Sequence, residues 1–144
     1  FANVGDPRRR DRVKSTFELG ALSPYVFHGI GAYEKAFRKM EESLADGGPW
    51  LMGSQFGLAD INLMPLMARL EHLGLLDVWA SERLLVQDWW VRAKERPSFT
   101  QGIVDPFVPG EVSEMADFGA KIKDQIRDKR QQYLDEFPEP QYRK

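Results

Sequence analysis

The chain has no cysteine in its 144 residues, which excludes disulfides, thiolate zinc sites and a cysteine nucleophile within it. Histidine is nearly as scarce. His28 and His72 stand on different expected helices with no His or Cys partner at ligand spacing, so no metal site is expected. An excess of positive charge is also missing: 20 Lys and Arg against 22 Asp and Glu leave a net charge of −2. No field of the sign that holds a phosphate backbone exists, and nucleic acid is not an expected partner. Long apolar runs are absent too. The most apolar stretch, residues 61–76, is interrupted by Asn62, Pro65, Arg69, Glu71 and His72, far short of the roughly 20 apolar residues a bilayer span needs. The opening arginines have no apolar segment behind them, so no signal peptide is expected. These absences fit a reducing, cytoplasmic setting with no membrane partner.

What is present is helical punctuation and periodicity. The length and 42% hydrophobic content suit one compact domain over residues 1–144. Asp6-Pro7 reads as a helix start, with Val13, Phe17 and Ala21 marking one face and Arg8-Arg9-Arg10 a solvated one. After Ser23-Pro24, Val26, Ile30, Tyr33, Phe37, Met40 and Leu44 recur at steps of three and four, a single buried stripe. Phe56-Gly57-Leu58-Ala59-Asp60-Ile61 reads as the entrance of a central helix. With Gly57 as N-cap, the Asp60 carboxylate can reach back to its amide, and Phe56 and Ile61 stand where a hydrophobic staple needs them. The apolar residues that follow, through Leu73, cover most of the helix circumference and predict burial on nearly all sides, with a kink at Pro65. A further helix spans about Glu82 to Glu95, and Trp89 and Trp90, being adjacent, are not expected to face one core. Residues 111–144 form a charged helix and tail with a stripe of Met115, Phe118, Ile122, Ile126, Tyr133 and Phe137. No segment alternates with period two, so the class is all-α.

Motifs that would announce chemistry are not met. In Gly53-Ser54-Gln55-Phe56-Gly57 the serine is displaced from the nucleophile-elbow position. Gly29-Ile30-Gly31 lacks a preceding strand and a third glycine. Glu41 and Glu42 diverge on a helix surface and read as solvent-exposed. No catalytic residue is assigned.

The ordered series Pro49-Trp50-Leu51-Met52-Gly53, then Phe56-Gly57-Leu58-Ala59-Asp60-Ile61, then Trp89 and Arg96-Pro97-Ser98-Phe99, resembles the C-terminal helical domain of cytosolic glutathione transferases. In that family the Ala-Asp pair opens a central helix by a capping box and a staple, roles the resemblance gives to Ala59, Asp60, Phe56 and Ile61. The chain departs at Gly57, where the family usually has Ser or Thr, so Asp60 carries the capping alone, at a value of about 1 kcal/mol or somewhat more. The helix ahead of Tyr25 and the pair Phe118-Gly119 look most like bacterial β-etherase-like members.

The resemblance implies a parent enzyme that uses glutathione as co-substrate against a hydrophobic electrophile. The thioredoxin-like N-terminal domain that binds glutathione and activates its thiol is expected to be missing here, as is the usual first long helix. The chain alone is then expected to be inactive, with no cofactor of its own, and to supply the substrate cleft. Arg69 is the first candidate for a polar group fixing the substrate, although a salt bridge or a snorkelling surface position is the favoured reading of that arginine; Tyr25 and His28 are weaker candidates, explained equally well as a helix-start aromatic and a solvent-edge histidine. The alternative is a non-catalytic interaction module. On either reading, apolar residues of the Tyr25–Leu44 helix should be uncovered, and a homo-oligomer is expected.

Overall fold

A computed structural model describes residues 5–138. Among them the chain is helical, with no strand beyond an isolated bridge between Trp50 and Gly53, so the expected all-α class holds. The helices are α1 (Pro7–Leu19), α2 (Pro24–Ala45), α3 (Leu58–His72), α4 (Asp77–Ala80), α5 (Leu84–Lys94), α6 (Pro97–Phe99) and α7 (Glu111–Glu136). A 3-10 turn at Gly20–Leu22 precedes α2, and a π-helical turn at Thr100–Val104 follows α6. Two compact units result, one from the described parts of Phe1–Glu34 and Asp124–Lys144, the other from Lys35–Lys123. Helices α2 and α7 contribute residues to both.

In the first unit Asp6 caps α1 by accepting from the Arg8 amide at 2.9 Å, and Pro7 at the first helical position forfeits no hydrogen bond. The expected face of α1 is not a core face. No residue of α1 is buried, Phe17 is 77% exposed, and only Ala21, in the 3-10 turn, is covered. Ser23 does more than mark a break. Its buried Oγ lies 2.9 Å from Ser15 Oγ and accepts from the Tyr25 amide, satisfying a free donor at the start of α2. Ile30 and Ile126 form the apolar centre of this unit, and a buried ion pair sits in it, Arg130 Nε donating to Glu34 Oε2 at 2.7 Å. Gly31 allows the Tyr133 ring to lie directly on α2: a Cβ there would overlap the ring.

The second unit is built around α3. Its one buried face carries Asp60, Met64, Met67, Ala68 and Leu70. The helix runs through Pro65 without a break and ends in a Schellman motif, Leu75 N donating to Leu70 O at 2.8 Å and Gly74 N to Glu71 O at 2.9 Å. That motif requires the left-handed φ of +64° that Gly74 adopts. Burial on nearly all sides is not found. Leu58, Ile61 and Leu66 are 77%, 49% and 48% exposed.

Against the buried face of α3 lies α5, and the second half of α2 reaches α5 through Glu41 and α4 through Phe37. Trp89 and Trp90 both enter this core, contrary to expectation, with rings stacked 5.9 Å apart. Each indole N–H finds a carboxylate on α3, Trp89 at Asp60 and Trp90 at Glu71, and this is what lets adjacent indoles share one core. Glu41 is likewise not a solvent-facing acid. From α2 it accepts from the Leu85 and Val86 amides at 3.3 and 3.0 Å, capping α5, whose own N-cap Arg83 makes no side-chain cap bond. Glu42 stays exposed, and its hydrogen bond from Lys39 holds its carboxyl below the usual range. In both units the apolar stripe of α2 is covered, Ile30, Phe37, Met40 and Leu44 all being buried, so the expected uncovered α2 face is not found; the uncovered apolar surface lies on α3. On α7, Gly119 replaces Phe118 in the inward stripe: Phe118 is exposed, and the Gly119 Cα faces the Leu73 carbonyl with no room for a Cβ.

Candidate functional site

Asp60 is the most heavily used carboxylate of the second unit. Fully buried, it accepts from the Gly57 amide at 2.9 Å with Oδ2, and from the Leu51 amide at 3.1 Å and Trp89 Nε1 at 2.7 Å with Oδ1. Gly57 has the extended backbone of an N-cap and no side chain to cap with. The carboxylate thus fastens three segments: the helix entrance, the Trp50–Gly53 turn and α5. Two of these bonds could not be read from the sequence, because nothing local links positions 51 and 89 to 60. Phe56 packs edge-on to Trp50 at 4.9 Å, with the Arg96 guanidinium 3.6 Å above its ring centroid. Ile61, its proposed staple partner, is half exposed. These residues build the frame of α3 and line neither of the two clefts described below.

The residues singled out for substrate contact are not alike. Tyr25 and His28 belong to the first unit. The Tyr25 hydroxyl donates to the Asp11 carboxylate, and that hydrogen bond raises the phenol above its ordinary value of 10.0. The shift opposes phenolate formation. His28 is exposed and meets the edge of Phe27 at 6.4 Å. Neither lines either of the two clefts described below.

Arg69 does. It stands on the solvent side of α3, one turn after Pro65 and one before His72, on the wall of a cleft of about 240 Å3. The opposite wall is the π-helical turn and the chain just after it, with Ile103, Pro106 and Phe107. Arg69 Nη1 lies 2.8 Å from the thioether sulfur of Met115, and among the described residues Arg69 makes no ion pair. Of the two alternatives to a substrate contact, the salt bridge is not formed, while the exposed surface position of Arg69 is the one observed. His72 meets Phe107 edge-on at 4.8 Å. Burial lowers its imidazole below 6.5; the Arg69 charge adds to this and Glu71 opposes it. His72 and Phe107 were missed as cleft residues. The three-residue step from Arg69 to His72 was a readable signal, whereas the approach of Phe107 depends on the π-helical turn.

A second, more open cleft of about 530 Å3 lies between α4 and α7. Its charges are already neutralised, Lys123 with Asp77 and Glu71 with Lys94, each pair at 2.7 Å. Among the described residues no group of three His, Asp or Glu could hold a metal ion, and no helix is long and apolar enough to cross a membrane.

Comparison with known proteins decides what this architecture is. Residues 10–96 match the family model "Glutathione S-transferase, C-terminal domain". The chain belongs to that family. The matched segment runs from α1 through α5 and so includes the Asp60 anchor and both tryptophans. The glutathione S-transferase TCHQD of Arabidopsis thaliana is 34% identical over 62 residues, 43% of this chain. The match spans 23% of that relative's length. No solved structure matches the chain.

Proposed function

We propose that this chain is the helical, substrate-side half of a glutathione transferase. Glutathione and the group that activates its thiol come from a thioredoxin-like domain outside these residues, and the helices here hold a hydrophobic electrophile for the thiolate to attack. The observation that carries the reading is the uncovered apolar side of α3. A family member whose central helix exposes Leu58, Ile61 and Leu66, on the same helix that places Arg69 in a cleft, has a surface suited to a second domain and a pocket beside it. The chemistry asked of this half is positional: holding the electrophile near the thiolate converts a bimolecular encounter into an intramolecular one. The β-etherase-like branch and a cytoplasmic setting are part of the reading. The former rests on Phe118-Gly119 and the helix ahead of Tyr25, the latter on a cysteine-free sequence.

The test is turnover by the native polypeptide that carries these residues, given glutathione and 1-chloro-2,4-dinitrobenzene. Thioether formation is expected there and none from the 144-residue chain alone. Native protein that neither binds glutathione nor forms the thioether overturns the reading. It would favour the second one, a non-catalytic assembly module, which the same uncovered α3 surface also supports. Self-association through that surface is expected of the isolated chain, and a strict monomer at tens of micromolar in sedimentation would refute it.

A further inference from the structure

The cleft beside Arg69 has a composition that narrows its ligand. Pro65, Arg69 and His72 fall on one strip of α3, and Ile103, Pro106 and Phe107 face them. Apart from the guanidinium and the imidazole, these walls are apolar. An apolar cavity of about 150 Å3 holds a benzene ring, so about 240 Å3 takes a larger aromatic group. The guanidinium offers five N–H donors, and the partner it has in the structure is a thioether, which carries no charge and accepts weakly. The surrounding acids do not neutralise it. Glu71 accepts from Trp90 and Lys94, Glu111 accepts from the Val108 amide, and neither Asp105 nor Glu114 is within ion-pair distance of Arg69. A planar, permanently charged fork at the mouth of an apolar cleft matches a carboxylate attached to a ring.

We infer that this cleft binds an aromatic carboxylic acid, with the ring against Ile103, Pro106 and Phe107 and the carboxylate paired with Arg69. The inference deepens the proposed function, the acid being the anionic end of the electrophile, but the binding itself needs no glutathione. His72 lies close enough along α3 to report occupancy: a carboxylate on Arg69 offsets the guanidinium charge that disfavours imidazolium, so His72 takes up a proton more readily when the cleft is filled.

The test titrates the full 144-residue chain with 1-naphthoate and, separately, with 1-naphthylmethanol, which has the same ring and no charge. His28 and His72 are the two histidines, so imidazole NMR signals are assigned with His28→Gln. Saturable one-site binding of naphthoate is expected, with the alcohol about tenfold weaker, the factor one charge-assisted hydrogen bond commands. Arg69→Gln should abolish the preference and Arg69→Lys keep part of it, since the single ammonium retains charge without the fork. Arg69 is exposed, so both variants should fold, which circular dichroism checks. Naphthoate should raise the His72 midpoint in the parent chain and not in Arg69→Gln. Equal binding of acid and alcohol, naphthoate binding untouched by Arg69→Gln, or a His72 signal unmoved at saturation overturns the inference. Failure of the two readings is separable. Native protein that conjugates glutathione while the cleft ignores naphthoate refutes this inference alone, and naphthoate binding without any conjugation refutes the proposed function alone.

Discussion

Replacing Asp60 by alanine should cost the second unit far more than a helix cap is worth. Three N–H donors converge on this fully buried carboxylate, from Gly57, Leu51 and Trp89 at 2.9, 3.1 and 2.7 Å. Alanine removes the acceptor and keeps the donors, and each buried donor left unsatisfied costs about 1–3 kcal/mol. With partial relaxation at the Gly57 end, which is less deeply buried than Trp89, the sum is about 4–6 kcal/mol. That exceeds the roughly 1 kcal/mol of an ordinary N-cap and approaches the whole stability of a marginal domain. Asp60→Asn is the milder probe. The amide keeps one oxygen for two donors and turns an NH2 toward the third, for a cost of about 2–3 kcal/mol. Urea unfolding followed by far-ultraviolet circular dichroism measures both. A cycle pairing Asp60→Asn with Trp89→Phe should show coupling of about 1–2 kcal/mol, because the two single changes break the same bond. An alanine variant within 1 kcal/mol of the parent would refute the claim that Asp60 ties α3 to α5 and to the Trp50–Gly53 turn.

Other outcomes follow from the same geometry. Gly119→Ala should destabilise by about 2 kcal/mol or more, because its Cβ would overlap the Leu73 carbonyl; Gly29→Ala on α2, with nothing within 4 Å, should be neutral or stabilise by up to about 1 kcal/mol. Thermal melts compare the two directly. Arg130→Met removes a 2.7 Å charge-assisted bond to the buried Glu34 and should cost about 1.5–3 kcal/mol, part of it recovered when Glu34→Leu is added. Equal stability of the single and double variants would refute that reading. For His72, whose folded imidazole is held below 6.5, the unfolded chain binds the proton first as pH falls. Its contribution is therefore complete above about pH 6.5 and declines below it until the folded imidazole titrates too. His72→Gln should flatten the stability profile between about pH 5 and 7, and an unchanged slope would contradict the assignment.

Much of the frame was legible because it is local. Asp6-Pro7, Ser23-Pro24 and Gly57–Asp60 mark helix starts through bonds that span two or three residues, and the α2 stripe follows from the helical period alone. The misreadings are non-local. Glu41 and Trp90 look surface-bound or surplus until α5 is set beside α2 and α3, where each meets a partner far away along the chain, roughly 60 Å or more if extended. The circumference of α3 was over-read for the opposite reason: apolar residues on all sides state what a helix is suited to bury, and the described chain covers only one side of it. In the candidate site, Arg69 was identifiable as a charge amid apolar neighbours. Its cleft was not, since the π-helical turn that delivers Ile103 and Phe107 has no strong sequence signature.

The most direct test of the account is glutathione-dependent turnover by the native polypeptide, measured beside its Arg69→Gln variant with a neutral and an aromatic-acid electrophile. The account predicts thioether formation by the parent, with the variant raising KM selectively for the acid. A native protein that binds no glutathione and forms no thioether would contradict it.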